Sequence, residues 1–481
     1  MRFSRWAGVY QALTSKCDKA ETSMEVAMSG FNKQQDSKVD YPSHTSKGFL
    51  FRLSTSRYAF PLMFLVIILV MIPIISFMVQ NGLHAKYTSN NTGSNSPSTQ
   101  APLAITVTTK QTPLTITTPI ASTGLDTMVR QTLDSITQYG WDTANQGVHI
   151  NWYRNNPYAQ QNPYHDGQND LRDYEVMVWY EARHPGDTSQ QAAIARLLPT
   201  VKAEWGRSTL PKGWIYFLFQ RLAQYSGNTV YWTNAMENWA AAVYKGIDPA
   251  MGVPHGPVND STAANAPTCP DGYRVDQNLE NGLALIDAGK SFSNQAWMQA
   301  GAREVSSIMQ QAFVSKYHLF ARIVCQGTIW NWEAKPGDYG QEIDALLKAG
   351  VYTNNQAYLS VAKQMLDEVA NPATGLRDLK NGGIYYKFLL DTGSVDTSRK
   401  EMRQFAVLQA LHEANAIFHN RYASFEADMI RAVKSSFFAP PVAGWMAELN
   451  PNWSLYKGKE NWISVEASGM AMEAIQTVLS Q

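Results

Sequence analysis

Two stretches of this chain are close copies of each other. "ALIDAGKSFSNQAWMQAGAREV" spans residues 284–305, and "ALLKAGVYTNNQAYLSVAKQML" spans residues 345–366. An offset of 61 pairs Ala284 with Ala345, Leu285 with Leu346, Ala288 with Ala349, Gly289 with Gly350, Asn294 with Asn355, Gln295 with Gln356 and Ala296 with Ala357. A further offset of 65 pairs Ala345 with Ala410, Leu346 with Leu411, Ala349 with Ala414 and Asn355 with Asn420. A fainter copy, "YSGNTVYW" with Asn228, sits 66 before Asn294. Each copy reads as the end of one helix, a short turn with Asn, and the start of the next. Small residues let the second helix pack close, and Asn suits a left-handed position or an N-cap. The unit is therefore a helical hairpin of roughly 60 residues, the length scale of a repeat architecture.

From Leu125 onward the apolar pattern has a helical period. It predicts about twelve helices, near 125–139, 167–184, 188–205, 211–226, 230–244, 275–290, 294–313, 337–352, 356–370, 399–419, 423–436 and 462–480. Capping-box signals support several starts: "DTSQ" at 187–190, "TNNQ" at 353–356, "SRKE" at 398–401 and the looser "DYGQ" at 338–341. Repeated hairpins either stack into an open solenoid or close into a ring. Closure is expected here. Five hairpins are visible from 167 to 436, and the orphan helix at 462–480 can pair with the orphan at 125–139. The expected fold is all-α, an (α/α)6 toroid over 125–481.

Formal net charge is +0, whereas nucleic-acid binders usually carry a basic excess. No CxxC or HExxH occurs, and the His residues are scattered, so neither a metal site nor a cofactor is expected.

Residues 58–79, "YAFPLMFLVIILVMIPIISFMV", are apolar and uncharged. At about 1.5 Å per residue they span roughly 30 Å, one bilayer core. The preceding 57 residues carry nine Lys and Arg, whereas 80–124 carry only Lys86 and Lys110. The positive-inside rule then predicts a single-pass signal anchor in the cell membrane. Residues 1–57 are the cytoplasmic tail and the C-terminal domain is extracytoplasmic. Residues 80–124, rich in Ser, Thr, Asn and Pro, read as a disordered stalk. A cleaved signal peptide is the competing reading, but its charged leader would be unusually long.

The hairpin ring, the extended "GGIYYKFLLD" (382–391) followed by the helix "KEMRQFAVLQALHEANAIF", and "ENWISVEASGMAMEAI" near the end together resemble the six-hairpin glycosidase superfamily. That group includes family 76 α-mannanases, unsaturated glucuronyl hydrolases and relatives of N-acylglucosamine epimerase. The resemblance implies a carbohydrate substrate and a glycoside hydrolase. A sugar epimerase or a polysaccharide lyase on the same ring, or a non-catalytic envelope glycan-binding protein, are the alternatives.

In such a ring the first helix of each hairpin lines the inner wall, and the long links before these helices form the mouth. Sites collect on loops that a rigid scaffold positions. Glycoside hydrolysis needs two carboxyl groups flanking the bond. The mouth offers Asp173, Asp276, Glu280, Glu333, Asp338, Glu342 and Glu460. Asp276 and Asp338 sit at matching starts of neighbouring inner helices. Glu280 and Glu342 lie one turn further in, where desolvation raises a carboxyl pKa and suits a general acid. These four are the catalytic candidates. For Asp338 an N-cap role, and for Glu342 a simple helix-dipole role, compete. Trp330, Trp332, Tyr273 and Trp462 are candidates for stacking on a sugar. Arg274 and Lys400 are candidates for contacting an acidic sugar, and His165 is the histidine an epimerase would use. Cys269 and Cys325 lie on mouth links before adjacent inner helices and are either a disulfide or two separate thiols; Cys17 stands apart in the tail.

Overall fold

The repeated Asn and Gly residues do local work at each hairpin tip. In the computed structural model, Asn294 caps a helix by accepting from the backbone of Ala296 and Trp297, and Asn355 caps its counterpart by accepting from Ala357. Asn354 takes the left-handed conformation, with φ 53°, that ends the preceding helix. A Cβ on Gly289 would lie 2.5 Å from the Met298 nitrogen, and one on Gly350 would lie 2.6 Å from Leu359. Glycine is therefore what lets the two helices of each hairpin approach. The third copy departs from this pattern. Asn420 has φ 60°, and the following helix starts later, at Ala423.

The structure describes residues 124–154, 167–259, 268–458 and 462–480. They lie in one unit, Gln111–Gln481. The twelve helices among them are α1 (Leu125–Tyr139), α2 (Gly167–Arg183), α3 (Gln191–Trp205), α4 (Gly213–Tyr225), α5 (Thr229–Gly246), α6 (Val275–Ser291), α7 (Gln295–Ala312), α8 (Pro336–Thr353), α9 (Gln356–Ala370), α10 (Phe405–Ile417), α11 (Ala423–Ser435) and α12 (Val465–Leu479). Helices α2, α4, α6, α8, α10 and α12 pack in that order into an inner ring, and α12 closes it against α2. Each inner helix pairs with an outer one: α3, α5, α7, α9 and α11 follow their partners, while α1 covers α12. Extended Trp462–Ser464 pairs antiparallel with Asn151–Tyr153 and ties the two ends of the ring together. The fold is an α/α toroid.

The inner helices are buried nearly all round. On α6, apolar Leu279, Leu283, Ala284, Leu285 and Ile286 are all at or below 2% exposure. Outer helices bury one stripe, as Trp297, Val305 and Ile308 do on α7.

Strands fill the links. A four-stranded antiparallel sheet runs β1 (Gly256–Asn259), β2 (Thr268–Arg274), β3 (Ile323–Cys325) and β4 (Thr328–Asn331). A disulfide joins Cys269 to Cys325, one strand to its neighbour.

None of the four expected capping boxes forms as read: Lys335, not Asp338, precedes α8, and Asn355, not Thr353, caps α9. Lys400 and Glu401 of "SRKE" pair as a strand with Leu449 and Glu448, so α10 begins at Phe405. In "DTSQ", Asp187 accepts from the Ser189 backbone in a turn, and α3 begins at Gln191 with no side-chain cap. Among the described residues no helix is long and apolar enough to cross a membrane. The apolar run 58–79, the tail 1–57 and the stalk before residue 124 lie outside them.

Candidate active site

The N-terminal ends of the inner helices surround a cavity along the ring axis, and it has two storeys. The mouth chamber, about 290 Å³, is lined by Arg172, Trp214, Asp276, Glu280, Arg403 and Glu466, among others. Below it a deeper chamber, about 140 Å³, runs down to Lys348 and Tyr352 on α8. Arg172, Trp214, Glu280, Gln341 and Met470 line both and mark the junction.

The hairpin offsets explain this ring of residues. Counting 61, 65 and 66 positions from Glu280 gives Gln341, then Ala406 on one side and Trp214 on the other. All four line the deep chamber. One turn lower, Phe217, Leu283, Asp344 and Gln409 are related by the same offsets and line it too. Side chains at matching repeat positions face the same axis.

Glu280 accepts a hydrogen bond from Gln341 Nε2 at 3.1 Å through Oε1. Its Oε2 is buried and has no hydrogen-bond partner. Burial, then the charges of Asp276 and Asp344, push its carboxyl up to about 8. The neutral form of Glu280 is therefore favoured near neutral pH, and its side chain lines both chambers. Asp276 stands one turn earlier on α6. Arg274, the last residue of β2, grips it with Nε at 3.0 Å and Nη2 at 2.5 Å.

Asp338 and Glu342 are placed differently. The same Arg274 Nη2 also reaches Asp338 at 3.0 Å. Arg322 Nε and Arg403 Nη2 complete the cluster at 3.2 and 3.5 Å. Burial favours the protonated form of Asp338, but the guanidiniums of Arg274, Arg403 and Arg322 outweigh it and hold the carboxyl below its ordinary value. Glu342 is 1% exposed, and burial, with Asp338 and Asp276 nearby, pushes it well up. Neither residue lines the two chambers. They lie 62, not 61, positions after Asp276 and Glu280. One extra residue rotates a helical side chain by about 100°, away from the axis.

The remaining candidates scatter. Tyr273 is 1% exposed and donates its hydroxyl to Gln311, so it is a packing residue. Lys400 is fully buried, and its ammonium donates to Asp378 at 2.9 Å, Pro451 O at 2.6 Å and Gly382 O. All three donors are used, which takes Lys400 out of substrate contact. Trp330 is half-buried on β4 and Trp332 is 40% exposed; neither lines the chambers. Trp462 packs beside Tyr153. Asp173 is buried with neither oxygen hydrogen-bonded, and Glu333 pairs with Lys387 and Lys335. His165 and Glu460 lie outside the described residues. Among the described residues no cluster of three or more His, Cys, Asp or Glu is arranged to hold a metal ion.

Sequence reasoning missed Trp214, Gln341, Arg172, Arg403 and Glu466. Trp214 is half-buried, with the Arg172 guanidinium 5.3 Å from its ring, and it offers a flat apolar surface at the junction. The offset from Glu280 is the signal that finds both Trp214 and Gln341.

No protein-family model and no curated protein matches the chain in sequence. Solved structures match it in fold. A D-mannose isomerase superposes with a TM-score of 0.57 at 14% identity, over 76% of this chain and 99% of that one. An unsaturated glucuronyl hydrolase specific for heparin gives 0.56 at 13% identity, over 74% and 97%. A GH76 α-mannanase from Bacteroides thetaiotaomicron gives 0.53 at 12% identity, over 74% and 97%. What the chain shares with these structures is the α/α toroid fold.

Proposed function

We propose that the protein is a carbohydrate-active enzyme that cleaves a glycosidic bond, with Glu280 as proton donor and Asp276 as the second carboxylate. One observation carries this reading. Glu280, its carboxyl raised by burial, stands at the junction of the two chambers, one helical turn from the Arg274-bound Asp276. Positions i and i+4 on a helix lie about 5–6 Å apart, so both groups reach one bond. Bond breaking at an acetal needs a proton delivered to the leaving oxygen while a carboxylate stabilises or attacks the developing oxocarbenium centre. Glu280 delivers that proton, and Asp276 acts as base or nucleophile. Gln341 orients the Glu280 carboxyl, and Trp214 offers its ring face to the sugar. The hydrolases among the structures of like fold support the reaction class.

We further infer that the domain works outside the cell membrane, anchored through residues 58–79. The length of the apolar run and the Lys/Arg asymmetry support this, and so does the Cys269–Cys325 disulfide, since such bonds persist in oxidising compartments. Cys17, the third cysteine of the sequence, then lies on the cytoplasmic side. A membrane-impermeant maleimide should label Cys17 only after permeabilisation; labelling of intact cells would reverse the orientation.

The catalytic reading is tested by incubating the full-length chain with a glycan panel and measuring new reducing ends. Release that disappears in Asp276→Asn supports it. Glycan binding without any release would leave a binding protein.

A further inference from the structure

The axial cavity continues sideways. A third cavity, about 460 Å³, lies beside the N-terminal ends of α4 and α6. It shares Lys212, Arg274 and Gln277 with the mouth chamber, so the two adjoin across these side chains. Gly256, Val258 and Asn259 of β1 and Gly272 and Tyr273 of β2 line it. Pro211, Pro254 and Pro257 also line it, and their fixed φ angles stiffen its walls. The Cys269–Cys325 disulfide braces β2 from behind. Deep chamber, mouth chamber and lateral cleft thus follow one another, and their order traces a path that bends at the mouth.

The two ends of this path differ. All six inner helices contribute to the deep chamber, through Arg172, Trp214, Glu280, Gln341, Gln409 and Glu473. A chain lying across the ring cannot sink an internal unit into such a well; only an end can enter. The cleft is bounded by loops and a hairpin, and Lys212, Gln277, Asn278 and the Asp248- and Asp271-bound His255 give it a polar lining.

We propose that the path takes a linear oligosaccharide end-on. The terminal sugar occupies the deep chamber, the bond to be cut lies beside Glu280, and the following units leave through the cleft along β1. This rests on the glycoside-cleaving reading above and adds the form of the substrate and a subsite for its distal units. Cleavage is then exo-acting, and recognition extends beyond the two sugars that flank the bond.

Gly256 provides the test. Gly256 lines the cleft and a Cβ there meets nothing within 4 Å, so the backbone admits a side chain and Gly256→Trp is chosen to obstruct the cleft. Full-length wild-type and Gly256→Trp chains are titrated with linear α-1,6-manno-, β-1,4-gluco- and uronate-containing oligosaccharides of two to six units. Binding and product sizes are recorded together. We expect affinity to rise by at least about tenfold from the shortest to the longest member of the accepted series. Gly256→Trp should erase that rise and leave the shortest member within about twofold, and products should be released stepwise from one chain end. A flat length dependence, a rise that survives in Gly256→Trp, or mid-chain products would overturn the proposal. Length-dependent binding without turnover would keep the path and remove the hydrolase reading. No binding by any member would remove both.

Discussion

Asp276 and Asp338, from neighbouring inner helices, bind the same terminal nitrogen of Arg274, at 2.5 and 3.0 Å. Only Asp276 faces the cavity. Asp338 stands behind it, gathering Arg274, Arg322 and Arg403. The pair divides the labour: one carboxylate lines the cavity, and the other fixes the cation that holds it.

Asp338→Asn should therefore act through stability. Removing a buried carboxylate from three guanidiniums costs about 3–5 kcal/mol, read as a lower midpoint in denaturant or heat. The pH sign follows from the lowered carboxyl. Its contribution is present above about 3.8, the unfolded value, and is lost as pH falls through the lower folded value. Asp338→Asn should flatten that acid limb. An unchanged midpoint would contradict the role.

Glu280 titrates in the opposite sense. Its folded carboxyl lies at about 8 against an ordinary 4.5, so the folded state binds the proton more tightly. Stability falls as pH rises from about 4.5 to about 8, and Glu280→Gln should be more stable than wild type across that window, increasingly so toward its upper end. Turnover needs the protonated form and should drop as pH passes about 8. A turnover profile flat to pH 10 would exclude Glu280 as the acid.

Lys400→Met should leave Asp378, Gly382 O and Pro451 O without their donor. A cost of about 3 kcal/mol is expected for breaking this buried pair, with glycan affinity unchanged at temperatures where the variant is folded. A selective loss of binding to acidic sugars would restore Lys400 to the substrate site.

The disulfide closes a loop of 56 residues, and Cys269→Ser with Cys325→Ser should cost about 2–4 kcal/mol. It joins β2, which ends in Arg274, to β3, which follows Arg322. Turnover should fall more steeply on heating than in wild type, measured below the unfolding midpoint. Equal heat sensitivity would mean that the bond does not help to hold the site.

The architecture was legible because its signals are local. Asn294 and Asn355 cap helices, Gly289 and Gly350 admit close helix packing, and apolar period marks the buried stripe of the outer helices. The same regularity made half of the candidate site legible, since Asp276 and Glu280 sit in the first turns of an inner helix. Asp338 and Glu342 were legible as acids of the same type, but their one-residue departure from the repeat turns them off the axis. Lys400 was opaque because a strand pairing with residue 449, far along the chain, overrides the apparent capping box at 398–401. Trp214 bears no local mark of its role. It emerges only when the hairpin offsets are carried from Glu280 around the ring.

Whether Glu280 gives the proton that breaks a glycosidic bond is read from leaving-group dependence. Wild type and Glu280→Gln are compared on a natural glycoside found by the panel and on a dinitrophenyl glycoside of the same sugar, whose leaving group needs no proton. The account predicts a loss of about 10²–10⁴-fold on the natural glycoside, with turnover of the aryl glycoside largely kept. Equal losses on both, or no loss on either, would contradict it.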